Sequence, residues 1–411
     1  MLKGAVAMAV TLGCLGSPLL AQDANSGISV PVTVSGGAMY TGRLQLADPD
    51  ESALAGGLRA MLYPSIRLGS HWFGYAALQV RLTPYFYYDA YDPEREWYIE
   101  TLQAFVGYSW RNDKTSWVVK AGRLSTAFGS YALRYDDAEN PVLDQPLSYV
   151  QTLTLRTDQL PCGVNDLAAQ HYGSISNRCG GVPGRDRGLT PVTLYGLPGI
   201  QAEVSSHRVD ARFQVTNGSP ASPQGWDRAG QYVQWTAGGG YTIRQGFRIG
   251  ASGFRGPYLD HSLTPLLPAG TSARDFPASA LGVDAQWARG RWSATGEWQR
   301  FWFASPNFTV APSLDSTYVE VKSVITPRFF LAGRAGWLNS RRVVDKQEVS
   351  AAEFAPSIAS YEMAAGSWLN RHQLLKASYE WLKIQPLTGT RFNVVGFQLV
   401  TTFHAVDWAF H

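Results

Sequence analysis

Residues 281–303 read LGVDAQWARGRWSATGEWQRFWF, with four tryptophans and two phenylalanines threaded by Asp284, Arg289, Arg291, Glu297 and Arg300. A period of two sorts this mixture. Leu281, Val283, Ala285 and Trp287 fall on one side, and Asp284 and Gln286 on the other. Beyond Arg289-Gly290-Arg291 the pattern resumes, with Trp292, Ala294, Gly296 and Trp298 against Ser293, Thr295, Glu297 and Gln299. Successive side chains of a strand point to opposite faces, so the stretch predicts a hairpin with one apolar and one polar face. The apolar face needs either a protein core or a lipid bilayer.

The same alternation runs along the chain. Leu58, Ala60, Leu62, Ile66 and Leu68 oppose Arg59, Met61, Tyr63, Ser65 and Arg67, and Ala76, Leu78, Val80 and Leu82 oppose Gln79 and Arg81. Trp117, Val119 and Ala121 oppose Lys120; in 207–215, His207, Val209, Ala211, Phe213 and Val215 oppose Arg208, Asp210, Arg212 and Gln214. Toward the C-terminus, Leu375, Ala377, Tyr379 and Trp381 oppose Lys376, Ser378 and Glu380. These segments run to about ten residues, the length a tilted strand needs to cross a bilayer, whereas sandwich strands average about five or six. Aromatics gather at segment ends, as at Trp72, Trp97, Trp110, Trp298 to Phe303, Trp337 and Trp381. Such rings suit the headgroup level on either side of a membrane. An open sheet edge in lipid would leave backbone groups unpaired, so closure is obligatory. The expected fold class is an all-β transmembrane antiparallel up-and-down barrel of roughly sixteen strands. Short turns such as Leu68-Gly69-Ser70, Arg111 to Lys114 and Asn370-Arg371 alternate with polar loops near 43–57, 217–230, 257–279, 303–315 and 339–360.

Composition agrees. The 411 residues include Gly 41, Trp 14, Tyr 20 and Phe 18, while charged residues make up only 16%. Soluble domains carry about 25%. The net charge of +3 gives no reason to expect nucleic acid. Lys3, the apolar run 4–16 and Ser17-Pro18-Leu19-Leu20-Ala21 read as a secretory signal over 1–21, leaving 22–411 as one barrel domain; a lipoprotein signal ending at Cys14 competes. Past Ala21 no apolar run approaches the ~20 residues of a membrane helix. Cys162 and Cys179 lie in a Gly/Pro/Asn-rich segment and read as a loop-stapling disulfide, with two free thiols as the alternative.

Residues 124–190 break the rhythm, with Arg134, Asp136, Asp137, Glu139 and Asp144 in no strand period. Structureless segments this long are usually functional or disordered. Three readings stand: an external loop, an inward fold of 127–148 that constricts the lumen, and a calcium site from the carboxylates.

KAGRLSTAFGSY at 120–131, VDARFQVTNG at 209–218, YVEVKSVITPRFFLAGRAGWL at 318–338 and SWLNRHQLLKASYEW at 367–381 resemble the phosphate-selective porin O/P group. The resemblance spans most of residues 98–403. It implies a homotrimeric outer-membrane porin whose strand ends in Gly-basic and runs into a Pro-Phe-Gly turn. Here Ala127 stands for the proline, and Asp144-Gln145 for a later Glu-Arg. The arginine ladder and lysine cluster of that group's selective sites imply anion traffic, and the cluster has no match in this chain.

The alternation puts Arg59, Arg67, Arg81, Lys120, Arg208, Arg212, Arg248, Lys322, Arg334 and Lys376 in the lumen, with Asp210, Asp284, Glu297, Glu320 and Glu380. Ten basic against five acidic residues favours anions, unless neighbours such as Asp210 and Arg212 neutralise each other. The expectation is a passive channel for small hydrophilic solutes with a weak preference for anions, embedded in outer-membrane lipid and using no cofactor. A structural or adhesive barrel is the second class. An outer-membrane hydrolase is the third: His171, His261 and His404 belong to no motif, and Gly250-Ala251-Ser252-Gly253-Phe254 fails Gly-x-Ser-x-Gly at its last position.

Overall fold

A computed structural model describes residues 26–42, 50, 52–86, 97–153, 155–164, 166–167, 178–181, 189–219, 222–223, 233–344, 346, 351–353, 355–385 and 391–410. The expected signal sequence, Cys14 and His171 lie outside the described residues.

Sixteen antiparallel strands close into a barrel. In chain order they are β1 (Ser26–Thr41), β2 (Leu54–Leu62, continued after Tyr63-Pro64 as Ser65–Leu68), β3 (Trp72–Leu82), β4 (Trp97–Arg111) and β5 (Thr115–Leu124). After the long loop come β6 (Leu197–Ser206), β7 (Val209–Ser219), β8 (Val233–Arg244), β9 (Phe247–Pro257), β10 (Pro277–Arg289) and β11 (Trp292–Phe303). The last five are β12 (Ser313–Thr326), β13 (Phe329–Ser340), β14 (Ser357–Trp368), β15 (Gln373–Gln385) and β16 (Arg391–Phe410). Each strand pairs with its sequence neighbour, β5 pairs with β6 across the long loop, and β1 pairs with β16 from Ser26↔Phe410 to Thr41↔Val394. That last pairing leaves no edge, as a lipid environment demands.

The opening hairpin is β10–β11, in register from Ala278↔Phe303 to Arg289↔Trp292. Its two faces separate as the sequence predicts. Leu281, Val283 and Trp298 are 58%, 51% and 39% exposed on the outside, whereas Glu297 and Gln299 are buried inside. Two aromatic belts ring the exterior. Toward the short turns lie Trp72, Tyr108, Trp110, Trp117 and Trp292, with Trp110 directly opposite Trp117. Toward the long loops, Trp337, Tyr361 and Trp381 stand side by side with centroids 5.8 Å and 5.5 Å apart.

The interior departs from a simple wet tube. Phe301 and Phe303, at the end of the opening stretch, point inward and are completely buried. They join Phe128, Tyr131, Leu147, Tyr149, Leu153 and Leu155 of the long loop, with Phe254 and Tyr318 of the wall, in one apolar cluster. The protein therefore has its core inside the lumen, made where the loop meets the wall. Each fully buried side chain of this size contributes about 1.5–3 kcal/mol.

Candidate functional site: the inward loop

β5 and β6 end and begin at Leu124 and Leu197, and the chain between them turns into the barrel. Of the three readings of this segment, the structure has the inward one for 127–148. The entry turn is Thr126-Ala127-Phe128-Gly129. Gly129 has φ +73°, a region that disfavours a Cβ, and an added Cβ would collide with the Tyr149 hydroxyl and Glu297. Wall side chains take up the turn's backbone. Ala127 N–H donates to Gln214 Oε1 (3.2 Å), Gly129 N–H to Ser252 Oγ (3.0 Å) and Ser130 N–H to Glu297 Oε1 (3.1 Å), while Arg212 donates to the Gly129 carbonyl. Phe128 then packs edge-on to Phe254 and Phe301, at 5.0 Å and 5.8 Å.

Further on, the loop crosses to the opposite wall. Asp137 accepts from Arg59 Nη1 of β2 at 2.9 Å and from the Tyr85 hydroxyl at 3.0 Å, and Asp136 accepts from the Tyr63 hydroxyl. Lys376 of β15 donates its Nζ to the carbonyls of Asp137 (2.8 Å), Asn140 (3.1 Å) and Val142 (3.3 Å). Arg334 of β13 bonds the Asp144 carbonyl (2.6 Å) and Asn140 Oδ1 (2.8 Å), and its Nε donates to Glu320 at 2.9 Å. Arg134 pairs with the same Glu320 and donates to the Tyr318 hydroxyl. Glu362 of β14 accepts from Leu143 N–H (2.9 Å) and Asp144 N–H (3.3 Å). The loop thus touches β2, β7, β9 and β11 to β15, most of the circumference.

The ionisation of two loop carboxyls follows from this seat. Burial opposes charge on Asp137, but Arg59 and then Lys376 outweigh it and hold the carboxyl below the usual range. Asp144 goes the other way. Burial, followed by Glu380 and Glu362, pushes its carboxyl well above the usual range.

The expected pore-lining residues differ in burial and in partners. Arg59, Arg334 and Lys376 face inward but are buried anchors of the loop, where the sequence expects them to border solvent. Glu297, Glu320 and Glu380 are likewise buried, Glu380 accepting from Ser360 Oγ. Arg67, Arg81, Lys120, Arg212 and Lys322 are half-buried on the inward face; Lys120 pairs with Glu203 at 2.7 Å, and Lys322 sits 4.2 Å from the centroid of Phe330. Arg248 is bracketed by Asp210 (2.6 Å) and Asp284 (2.9 Å), the mutual neutralisation that the sequence reading kept open. Arg208 needs correction. It sits with His207 in the exposed tight turn between β6 and β7, because the strand starts at Val209 and not at His207.

Asp136, Asp137, Glu139 and Asp144 do not converge as a calcium site would require: among the described residues no group of three acids, histidines or cysteines could hold a metal. The short ribbon of Gln159–Pro161 against Arg178–Gly181 brings the backbone of Cys179 near Cys162; the Cys179 side chain lies outside the described residues.

Several functional residues escape the sequence reading. Glu203 and Glu362 fall in segments whose strands are hard to see, yet both alternate against lipid-facing neighbours, Val204 and Tyr361. Register carries the stronger signal: Glu320↔Arg334, Arg334↔Glu362 and Glu362↔Glu380 form one charged row across four strands. Ser252, inside the failed Gly-x-Ser-x-Gly, is a loop acceptor in the lumen.

Beneath the loop, on the side of the short turns, a cavity of ≈ 340 Å³ opens between Arg134, Glu139, Arg248, Gln286, Thr295 and Lys322. Charged side chains and apolar groups such as Pro141, Phe247 and Trp287 share its lining, and it faces the β8 to β12 wall.

Solved structures with this architecture are outer-membrane proteins. The anion-selective porin from Comamonas acidovorans superposes with a TM-score of 0.54 at 11% identity, over 92% of this chain and 100% of that one. OmpT of Vibrio cholerae gives 0.54 at 8% identity over 93% and 99%, and the outer-membrane channel DcaP of Acinetobacter baumannii gives 0.54 at 11% over 92% and 98%. No family model and no curated protein matches the chain. At such identities the likeness is one of fold: a porin-like barrel. With its apolar exterior and paired aromatic belts, that barrel belongs in a bacterial outer membrane.

Proposed function

We propose that this protein is a passive outer-membrane diffusion channel for small hydrophilic solutes, with a weak preference for anions. One observation carries the reading. A loop enters the lumen from the long-loop end and is held across it by inward-facing charged side chains, leaving a cavity partly lined by charged side chains on one wall. That is the geometry of a constriction, where fixed charges and a narrowed cross-section sort permeant ions.

The anion preference rests on exposure. Loop and wall acids such as Asp137, Asp144, Glu297, Glu362 and Glu380 are buried and carry little of the potential that water-borne ions feel. On the β2 to β7 sector, Arg67, Arg81, Lys120 and Arg212 stay half-exposed against Glu100 and Glu203. Kinship with the phosphate-selective porin O/P group is supported by residues 120–131, whose Ala127-Phe128-Gly129 makes the inward turn. A homotrimer is supported by the lipid-facing depression around Gly74, Ala76, Ala104 and Ala121, whose small side chains allow close approach of a neighbour. A Cys162–Cys179 disulfide fits the ribbon that brackets both residues. No catalytic role is assigned: Ser252 is occupied by the loop backbone, and His261 lies exposed at the start of a short 3₁₀ turn.

The test is single-channel recording in planar bilayers under a salt gradient. Discrete conductance with a reversal potential of anionic sign is expected. A silent protein overturns the channel, and a cationic sign overturns only the charge preference.

A further inference from the structure

The charge at the short-turn end of the barrel has no part in the constriction. All seven tight turns there are described, and basic residues recur in them. Arg289 and Arg291 flank Gly290, and Arg111 and Lys114 flank Asn112-Asp113. Arg208, Arg244, Arg328 and Arg371 occupy four further turns, and the seventh ends in His71. All eight Arg and Lys side chains are exposed, and Asp113 is the one acid among them. Eight positive charges against one leave +7 on this rim, more than the +3 of the whole chain, so the remaining residues sum to −4. A random scatter of surface charge would not place the entire surplus on one edge of a barrel.

The lower aromatic belt fixes where that edge sits. Trp110 precedes Arg111, Trp292 follows Arg291, and Arg289 lies directly opposite Trp292 across the hairpin. Trp72 and Trp292 are 54% and 52% exposed on the outer face. Exposed tryptophan at a barrel rim lies at the headgroup level. The basic side chains one residue further out therefore lie at phosphate depth, and they encircle the rim where the mouth of the pore would need them only on its inner lip.

We propose that this rim is a docking collar for anionic phospholipid headgroups in the leaflet that the short turns meet. Guanidinium groups suit phosphate through paired N–H donors, and a polybasic surface attracts an anionic leaflet with a strong dependence on salt. The collar rests on the membrane placement of the barrel and is independent of whether the lumen conducts.

The full chain, refolded into nanodiscs of phosphatidylcholine mixed with phosphatidylglycerol, is extracted and its retained lipid quantified. Phosphatidylglycerol is expected to be enriched on the order of threefold over the bulk ratio, with the enrichment shrinking at high salt. The combined variant Arg208→Gln, Arg289→Gln, Arg291→Gln and Arg328→Gln, all at exposed turn positions, should lose at least about half of that enrichment. Arg255→Gln with Arg341→Gln, on exposed positions toward the long loops, should leave it intact. Inorganic phosphate at matched ionic strength should displace no more lipid than chloride does; displacement specific to phosphate overturns a lipid collar in favour of a free-ion site. Equal retention of the two lipids, or enrichment unchanged in the collar variant, also overturns the proposal. Conductance of the same preparations is read separately, so a silent channel with preserved lipid enrichment counts against the pore alone.

Discussion

Two sets of basic side chains occupy equivalent inward positions on the wall and do different work. Arg59, Arg334 and Lys376 are buried, and every bond described for them runs to the loop or to a wall residue. Lys120 and Lys322 keep partial exposure, the first paired with Glu203 and the second below the loop. The strand pattern cannot separate the sets, because both obey the same alternation. What separates them is whether the inserted loop lies over them. A charge buried under the loop is an anchor, and one that keeps water is open to the proposed role of filter.

Arg59→Ala breaks the first set most severely. It strands the fully buried Asp137 carboxylate, and removing one partner of a buried pair costs about 3–5 kcal/mol. A lower Tm in detergent and a larger, noisier conductance as the loop loosens are the expected outcomes; wild-type stability with wild-type current would erase the distinction. Gly129→Ala attacks the same loop at its entry through backbone strain and the clash with Tyr149, at about 1–3 kcal/mol, and should also shift Tm and open-channel noise. Phe128→Leu at the same turn should cost less, since it keeps most of the buried volume.

Asp144 sharpens the comparison through pH. Its carboxyl is raised, so the seated loop favours the protonated form. That contribution is complete below the ordinary aspartate value of about 4 and is lost as pH climbs through the raised value. Thermal melts across this range should therefore decline with pH in the wild type, and less steeply in Asp144→Asn, whose amide keeps an oxygen for the Gln145 N–H. Identical slopes would remove Asp144 from the loop's energetics.

The smallest effect on stability belongs to the second set. Lys120→Gln leaves Glu203 half-solvated, so Tm should move by less than a change worth about 1 kcal/mol, as for partly exposed pairs. The reversal potential should nevertheless shift toward cations. An unshifted potential would mean that half-exposed wall charges do not filter.

The wall of the barrel was legible because lipid and lumen impose a strict two-residue period, and a slip by one position sends every charge to the wrong side. Trp298 and Glu297 declare their faces without help from any distant residue. The loop carries no period, so its contacts had to come from the structure. Asp137 meets Arg59 across 78 positions and Lys376 across 239, which no local pattern encodes. Phe301 and Phe303 mislead for a related reason: in a lipid-facing barrel an aromatic at the end of a strand suggests the headgroup level, yet here the loop supplies an interior for them to pack into. Arg208 was misplaced by two residues of turn, the usual fate of element boundaries that rest on a single polar pair.

The Asp137 cluster also bears on how the molecule is put together. Arg59 belongs to β2 and Lys376 to β15, the strands flanking the β1–β16 closure, and Tyr85, which bonds Asp137, also accepts from Gln398 of β16 at 2.5 Å. The strands beside the seam are thus riveted from within by a segment 78 positions from one and 239 from the other. A cork fastened to the staves beside the seam holds that seam shut from within.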